Sequence, residues 1–200
     1  MHSTLKSIGL GIVVTAVLAL VAAPFALAQE AEYVGNKTCK MCHNKKDEGA
    51  QWTKWSEMGH KKALETLKSE ESVALGKELG LEKPPSEAPE CLKCHVTGYD
   101  VEAKKAPAKI VPDDGIQCES CHGASSLHLA DAKAHMKDKS IDLTKNHHLA
   151  DEAICVKCHN AESPTWKEDR YTKEDGTKVG FDFEQAAKKI AHPNPKKADE

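Results

Sequence analysis

The sequence predicts a mainly α-helical protein with extensive loops and little β-structure. Three observations carry that expectation. Two stretches place apolar residues at three- and four-residue intervals, the helical period. Proline-rich segments separate these stretches. One pattern, Cys-x-x-Cys-His, occurs four times and takes up every cysteine in the 200-residue chain.

The elements follow in order. Lys6, an apolar run from Ile8 to Ala23, and Ala26-Leu27-Ala28 form a secretory signal peptide with an A-x-A cleavage site. Residues 1–28 are therefore expected to be removed, leaving one domain at 29–200. The apolar run is short for a membrane span, although an uncleaved anchor is the alternative. No cysteine stands at the cleavage site, so a lipoprotein anchor is not expected. From Asp47 to Ser69 good helix formers run without proline, and Trp52, Ser56, His60, Leu64 and Leu67 share a face. A second helical piece covers Ser72 to Leu79 and stops at Gly80. EKPPSEAPE (82–90) and EAKKAPAKIVPDDG (102–115) read as connectors. Ser126 to Asp138 reads as helix, with His128 and His135 on one side. Asp175-Gly176 suggests a small hairpin. Asp182 caps a last helix, Phe183 to His192, with Gln185 at the capping-box position and Pro193 as its stop. The tail at 193–200 is expected to be disordered.

The four copies are CKMCH (39–43), CLKCH (91–95), CESCH (118–122) and CVKCH (155–159). Two thiols separated by two residues each form a thioether with one of the two vinyl groups of a haem. The adjacent histidine then supplies the proximal nitrogen to iron. A lone CxxC also suits a zinc half-site, a dithiol switch or a disulfide. With 11 histidines in 200 residues, chance would place one after all four pairs at a rate on the order of 10⁻⁵. Four covalently bound haem c groups are therefore expected, held by Cys39, Cys42, Cys91, Cys94, Cys118, Cys121, Cys155 and Cys158. His43, His95, His122 and His159 are the proximal iron ligands. A signal peptide agrees with this, because bacteria attach haem outside the cytoplasmic membrane. The haems also answer a deficit, since aromatic residues make up only 4% of the chain and something else must fill the core.

Distal ligands come from six remaining histidines. His60 lies on an amphipathic face beside tryptophans, His128 follows a motif after a small-residue turn, and His192 ends a helix. These three are the favoured candidates, and His135, His147 and His148 are the reserves. Met41 is badly placed inside a motif, which makes bis-histidine iron the default. The net charge of −3 shows no basic excess and argues against nucleic acid.

CKMCH followed by QWTKWSEMGHKKALETL, then ECLKCHVTGYD, GIQCESCHG, CVKCH and the closing FDFEQAAKKIAH resemble the tetrahaem cytochromes of the c-554 type. That family accepts electrons from hydroxylamine oxidoreductase in ammonia oxidisers. The resemblance runs from Tyr33 to about His192. It implies a helical fold wrapped around closely packed haems. It also implies that His128 serves the haem of His43, His60 that of His159, and His192 that of His122. The haem of His95 then lacks a protein distal ligand. The chain departs from the family in a shorter turn between His122 and His128 and in the spare pair His147-His148. Similar tetrahaem chains polymerise into extracellular filaments, for which a spare histidine would serve.

The expected function is electron carriage between redox protein partners, in the periplasm or outside the cell, with membrane contact only through those partners. Haem propionates would add negative charge and steer transient encounters. Self-association into a filament is one alternative. An enzyme acting on small nitrogen oxides at an open second haem is the other. All four motifs end in histidine, so the lysine-ligated haem of ammonia-forming nitrite reductases is absent.

Overall fold

A computed structural model of the protein describes residues 30–99 and 110–195. The expected signal peptide, most of the second connector and the end of the tail lie outside these residues. The chain divides into two units, Met1–Glu30 and Ala31–Glu200, and the elements below all belong to the second.

The described residues include nine short α-helices, three 3-10 turns and one hairpin. Helix α1 spans Asn36–His43, α2 Gln51–Glu57, α3 Ala63–Thr66 and α4 Glu70–Glu78. Helices α5 (Pro89–His95), α6 (Cys118–His122) and α7 (Ser126–His135) follow. Helix α8 (Glu152–Cys155) precedes strands β1 (Tyr171–Thr172) and β2 (Lys178–Val179), and α9 (Phe183–Ile190) closes the fold. The strands pair antiparallel, Tyr171 opposite Val179, across the turn that contains Gly176. The expected fold class, mainly helix and loop with little strand, is the one observed.

Side-chain caps set several helix starts. Ser69 accepts a hydrogen bond from the Ser72 amide at 3.2 Å, and Asp151 accepts one from Ile154 at 3.0 Å. Asp182 accepts one from the Gln185 amide at 2.9 Å, and Pro89 opens α5. Each arrangement satisfies or removes an amide that the helix itself leaves unpaired.

The continuous helix expected over 47–69 is corrected. Met58 is extended (φ −75°, ψ 156°), so α2 stops at Glu57, and a 3-10 turn at Gly59–Lys62 leads into α3. Glycine at 59 weakens the helix at that point. The tertiary contacts of His60 described below fix the break. The final helix ends at Ile190 rather than His192, and Ala191 turns extended ahead of Pro193.

Among the described residues the buried apolar side chains are Val34, Trp55, Leu64, Leu67, Ala88 and Val96. Leu64, Leu67 and Val96 form one cluster, with Cys91 and Leu92 packed against it. Asn36, Thr97, Gln117 and Glu119 are buried beside them. Polar contacts therefore do part of the work usually left to an apolar core. The Thr97 hydroxyl accepts from the Gln117 amide at 2.7 Å and lies 2.7 Å from the Ser120 hydroxyl. Burial alone would raise the Asp114 carboxyl, but hydrogen bonds from Lys61 and Asn36 hold it below its ordinary range. These bonds tie the entry to α1, the exit of α5 and the start of α6 into one frame.

Candidate functional site

Each motif sits on a helical turn. Cys39–His43 ends α1, Cys91–His95 ends α5, and Cys118–His122 is α6 itself. In the fourth, the His159 amide donates to the Cys155 carbonyl at 3.0 Å, continuing α8 by a turn. On such a turn the first cysteine and the histidine, four residues apart, face the same side. That is the arrangement that puts the imidazole under a ring held by the cysteine.

The histidine rings are paired. His43 and His128 have centroids 6.3 Å apart, His60 and His159 6.0 Å, and His122 and His192 6.0 Å. Two imidazoles on opposite sides of one iron, each about 2 Å from it, would place their centroids roughly 6.3 Å apart. The three spacings match that requirement. They are also the three pairs that the resemblance implies. The planes differ: 27° between His43 and His128, but 83° and 82° in the other two pairs.

The protonation state suits metal binding. Burial holds His43, His60, His122 and His159 below the usual imidazole range, favouring the neutral form that donates a lone pair. Backbone carbonyls fix the tautomer in three cases. Nδ1 of His95 donates to Ala63 at 2.7 Å, that of His122 to His148 at 2.8 Å, and that of His192 to Ile190 at 2.7 Å. Each bond turns Nε2 toward a prospective metal. Nδ1 of His128 is buried without a hydrogen-bond partner, as expected of a nitrogen that a cofactor satisfies. Among the described residues no cluster of three or more His, Cys, Asp or Glu forms a site for a bare ion. The residues present fit haem.

The motifs adjoin one another. The thiols of Cys39 and Cys118 share a hydrogen bond, which raises the first and lowers the second. Burial, with Cys155 and Cys118 nearby, pushes Cys121 up to about 11. Lys93, inside the second motif, pairs with Glu162, just beyond the fourth, at 2.7 Å. Phe181, after β2, stacks on His159 at 5.3 Å, so the hairpin backs the fourth motif.

A match to the family described as cytochrome c554 and c-prime covers residues 38–123, which hold the first three motifs. That part of the chain is similar to the cytochrome c-554 family. Cytochrome c-554 of Nitrosomonas europaea is 29% identical over 208 residues, covering 92% of this chain and 83% of that protein. The reduced state of cytochrome c554 from that organism is also similar, at 27% identity and a TM-score of 0.46, over 80% of this chain and 79% of the other. These likenesses support a multihaem c-type cytochrome that acts in electron transport.

Sequence reasoning left His135, His147 and His148 undivided, and the structure separates them. His147 lies 5.1 Å from His122 and 5.3 Å from His128, between two pairs and too close to either for an opposing ligand. His148 contributes its carbonyl to His122. His135 donates from Nδ1 to the Ile141 carbonyl at 2.8 Å, and no histidine ring faces it among the described residues.

His60 is placed by glycine. Its carbonyl accepts from the Ile116 amide at 2.9 Å, and Gly115 (φ 58°) lies against the same backbone. A Cβ at 115 would come within 2.6 Å of the His60 oxygen and 2.9 Å of the Lys61 oxygen, while an L-residue is strained at that φ. Gly115→Ala is therefore expected to displace His60. In the loaded protein this should appear as partial conversion of one low-spin iron to high-spin, together with a stability loss of about 2 kcal/mol. Electron paramagnetic resonance and thermal melting check the two effects.

Proposed function

We propose that the protein is a tetrahaem electron carrier in which three irons are bis-histidine ligated. His43 with His128, His159 with His60, and His122 with His192 form the pairs. His95 alone holds the fourth iron from the proximal side, because no histidine ring faces it among the described residues. Haem iron would supply reversible one-electron chemistry, and the paired histidines would hold it at three places. The observation that carries this reading is the set of spacings, 6.0–6.3 Å between ring centroids, in three separate pairs.

Two imidazoles stabilise ferric iron and favour low reduction potentials. Little room for a substrate remains at such sites, which supports carriage rather than catalysis. The signal-like start at residues 1–28 supports a periplasmic or extracellular location. The partners are other redox proteins, met through small transient contacts.

Stoichiometric titration tests this reading. The loaded protein is expected to accept four electrons per chain and to return all four to an oxidised redox protein. Fewer than four, or steady consumption of nitric oxide or hydroxylamine by the protein alone, would contradict it.

A further inference from the structure

The Glu119 carboxylate is 1% exposed, and each hydrogen bond it accepts comes from a backbone amide. Its Oε1 accepts from the Val34 amide at 2.9 Å and from the Ser125 amide at 2.9 Å. Its Oε2 accepts from Gly35 at 2.8 Å and again from Val34 at 3.2 Å. Three amides from two distant segments thus converge on one side chain. Both oxygens act only as acceptors, the role of a carboxylate rather than of a carboxylic acid. Among the described residues no lysine or arginine forms an ion pair with it. Its charge is balanced only by N–H dipoles.

The position of Glu119 gives these bonds their significance. It lies between Cys118 and Cys121 of the third motif. Val34 and Gly35 lead directly into α1, which carries Cys39, Cys42 and His43. Ser125 leads directly into α7, which carries His128, the ring facing His43. Gly35 has φ 77°, a conformation glycine adopts without cost, and its amide is the one that reaches Oε2. The adjoining Ser126 hydroxyl accepts from the Glu32 amide at 2.8 Å, and the Ser126 amide donates back to the Glu32 carbonyl at 3.0 Å. One side chain therefore joins both halves of the His43–His128 site to the helix that carries His122. The Glu119 charge opposes ionisation of both the Cys39 and the Cys118 thiols, although the bond from Cys39 lowers Cys118 overall, so its field reaches both attachment sites.

We infer that Glu119 is a positioning residue that sets two redox centres together, fixing the His43–His128 pair against the third motif and holding both irons toward the ferric state by its buried charge. This rests on the haem assignment proposed above. The physical reason is direct. Taking up one electron lowers the charge of an iron by one, and an unpaired buried anion nearby opposes that change. A clamp of purely mechanical value would be served as well by a neutral acceptor.

Glu119→Gln keeps the shape and a carbonyl acceptor but removes the charge. In the loaded protein, optical and electron paramagnetic resonance spectra would be followed during titration with dithionite as the electron source. Two of the four one-electron steps are expected to rise, each by about a tenfold change in equilibrium constant (about 59 mV for one electron), and the other two to stay. The His43–His128 iron can be followed individually, because its ring planes cross at 27° rather than 82–83°. Four unshifted steps in a protein that only melts earlier would overturn the electrostatic role. Should the glutamine variant fail to load, Glu119→Asp keeps the charge on a shorter arm. It is expected to lose stability with no rise in potential, and a tenfold rise there would overturn the inference. Failure of the haem assignment itself would show separately, as wild-type protein lacking bis-histidine signals.

Discussion

Replacing Cys118 and Cys121 by serine is expected to unfold the protein rather than to leave a three-haem version of it. The described apolar core holds six buried side chains, the largest of them Trp55, and α6 is only five residues long. A helix of that length has no independent stability in water. A buried haem presents apolar surface on the order of 400 Å², which at about 25 cal/mol per Å² contributes roughly 10 kcal/mol. That is comparable with the whole stability of an ordinary domain. The third motif is also where the frame converges: Glu119 holds the approach to α1, Ser120 meets Thr97, and His122 meets His192 and His147. Circular dichroism should show most of the helical signal gone at 25 °C, and limited proteolysis should degrade the chain. A cooperative melt close to wild type would contradict the idea that cofactor fills the core.

His192→Ala should leave the fold in place and change one iron. His192 stands beyond the end of α9, after the extended Ala191 and before Pro193, with Nδ1 held by the Ile190 carbonyl. The helix is anchored independently, by Asp182 at its start and by the Gln185 side chain, which donates to the Thr172 carbonyl at 3.0 Å. Loss of the imidazole opens the side of the site opposite His122. The expected outcome is a second high-spin iron beside that of His95. The potential of that iron should rise by on the order of 100 mV, a fraction of the ~0.8 V that axial ligands span. The melting temperature should change little. Electron paramagnetic resonance and a redox titration measure both effects. An unchanged spectrum would remove His192 as a ligand.

The chemistry was legible in the sequence because covalent haem attachment needs two thiols and a histidine at fixed spacing, and nothing else demands all three. The cap at Asp182 and the turn at Gly176 were equally local. The long helix over 47–69 was misread because its break is tertiary: the His60 carbonyl is claimed by Ile116, and Gly115 packs beneath it. Periodicity cannot register a contact more than fifty positions away. The ring pairs were named only through family resemblance, since pairing depends on which helix ends meet in space. Glu119 escaped notice for a similar reason. An acidic residue inside a motif usually faces solvent, and only the fold shows three amides turned toward it.

The central claim is that three pairs of histidines close three irons and that His95 holds the fourth by itself. Spin-quantified electron paramagnetic resonance of the fully ferric, haem-loaded protein tests it most directly. Ring planes near parallel split the iron orbitals more strongly than planes near perpendicular. The geometry therefore predicts three low-spin irons per chain, one rhombic and two highly anisotropic, together with one high-spin iron. Four low-spin irons, or fewer than three, would contradict it.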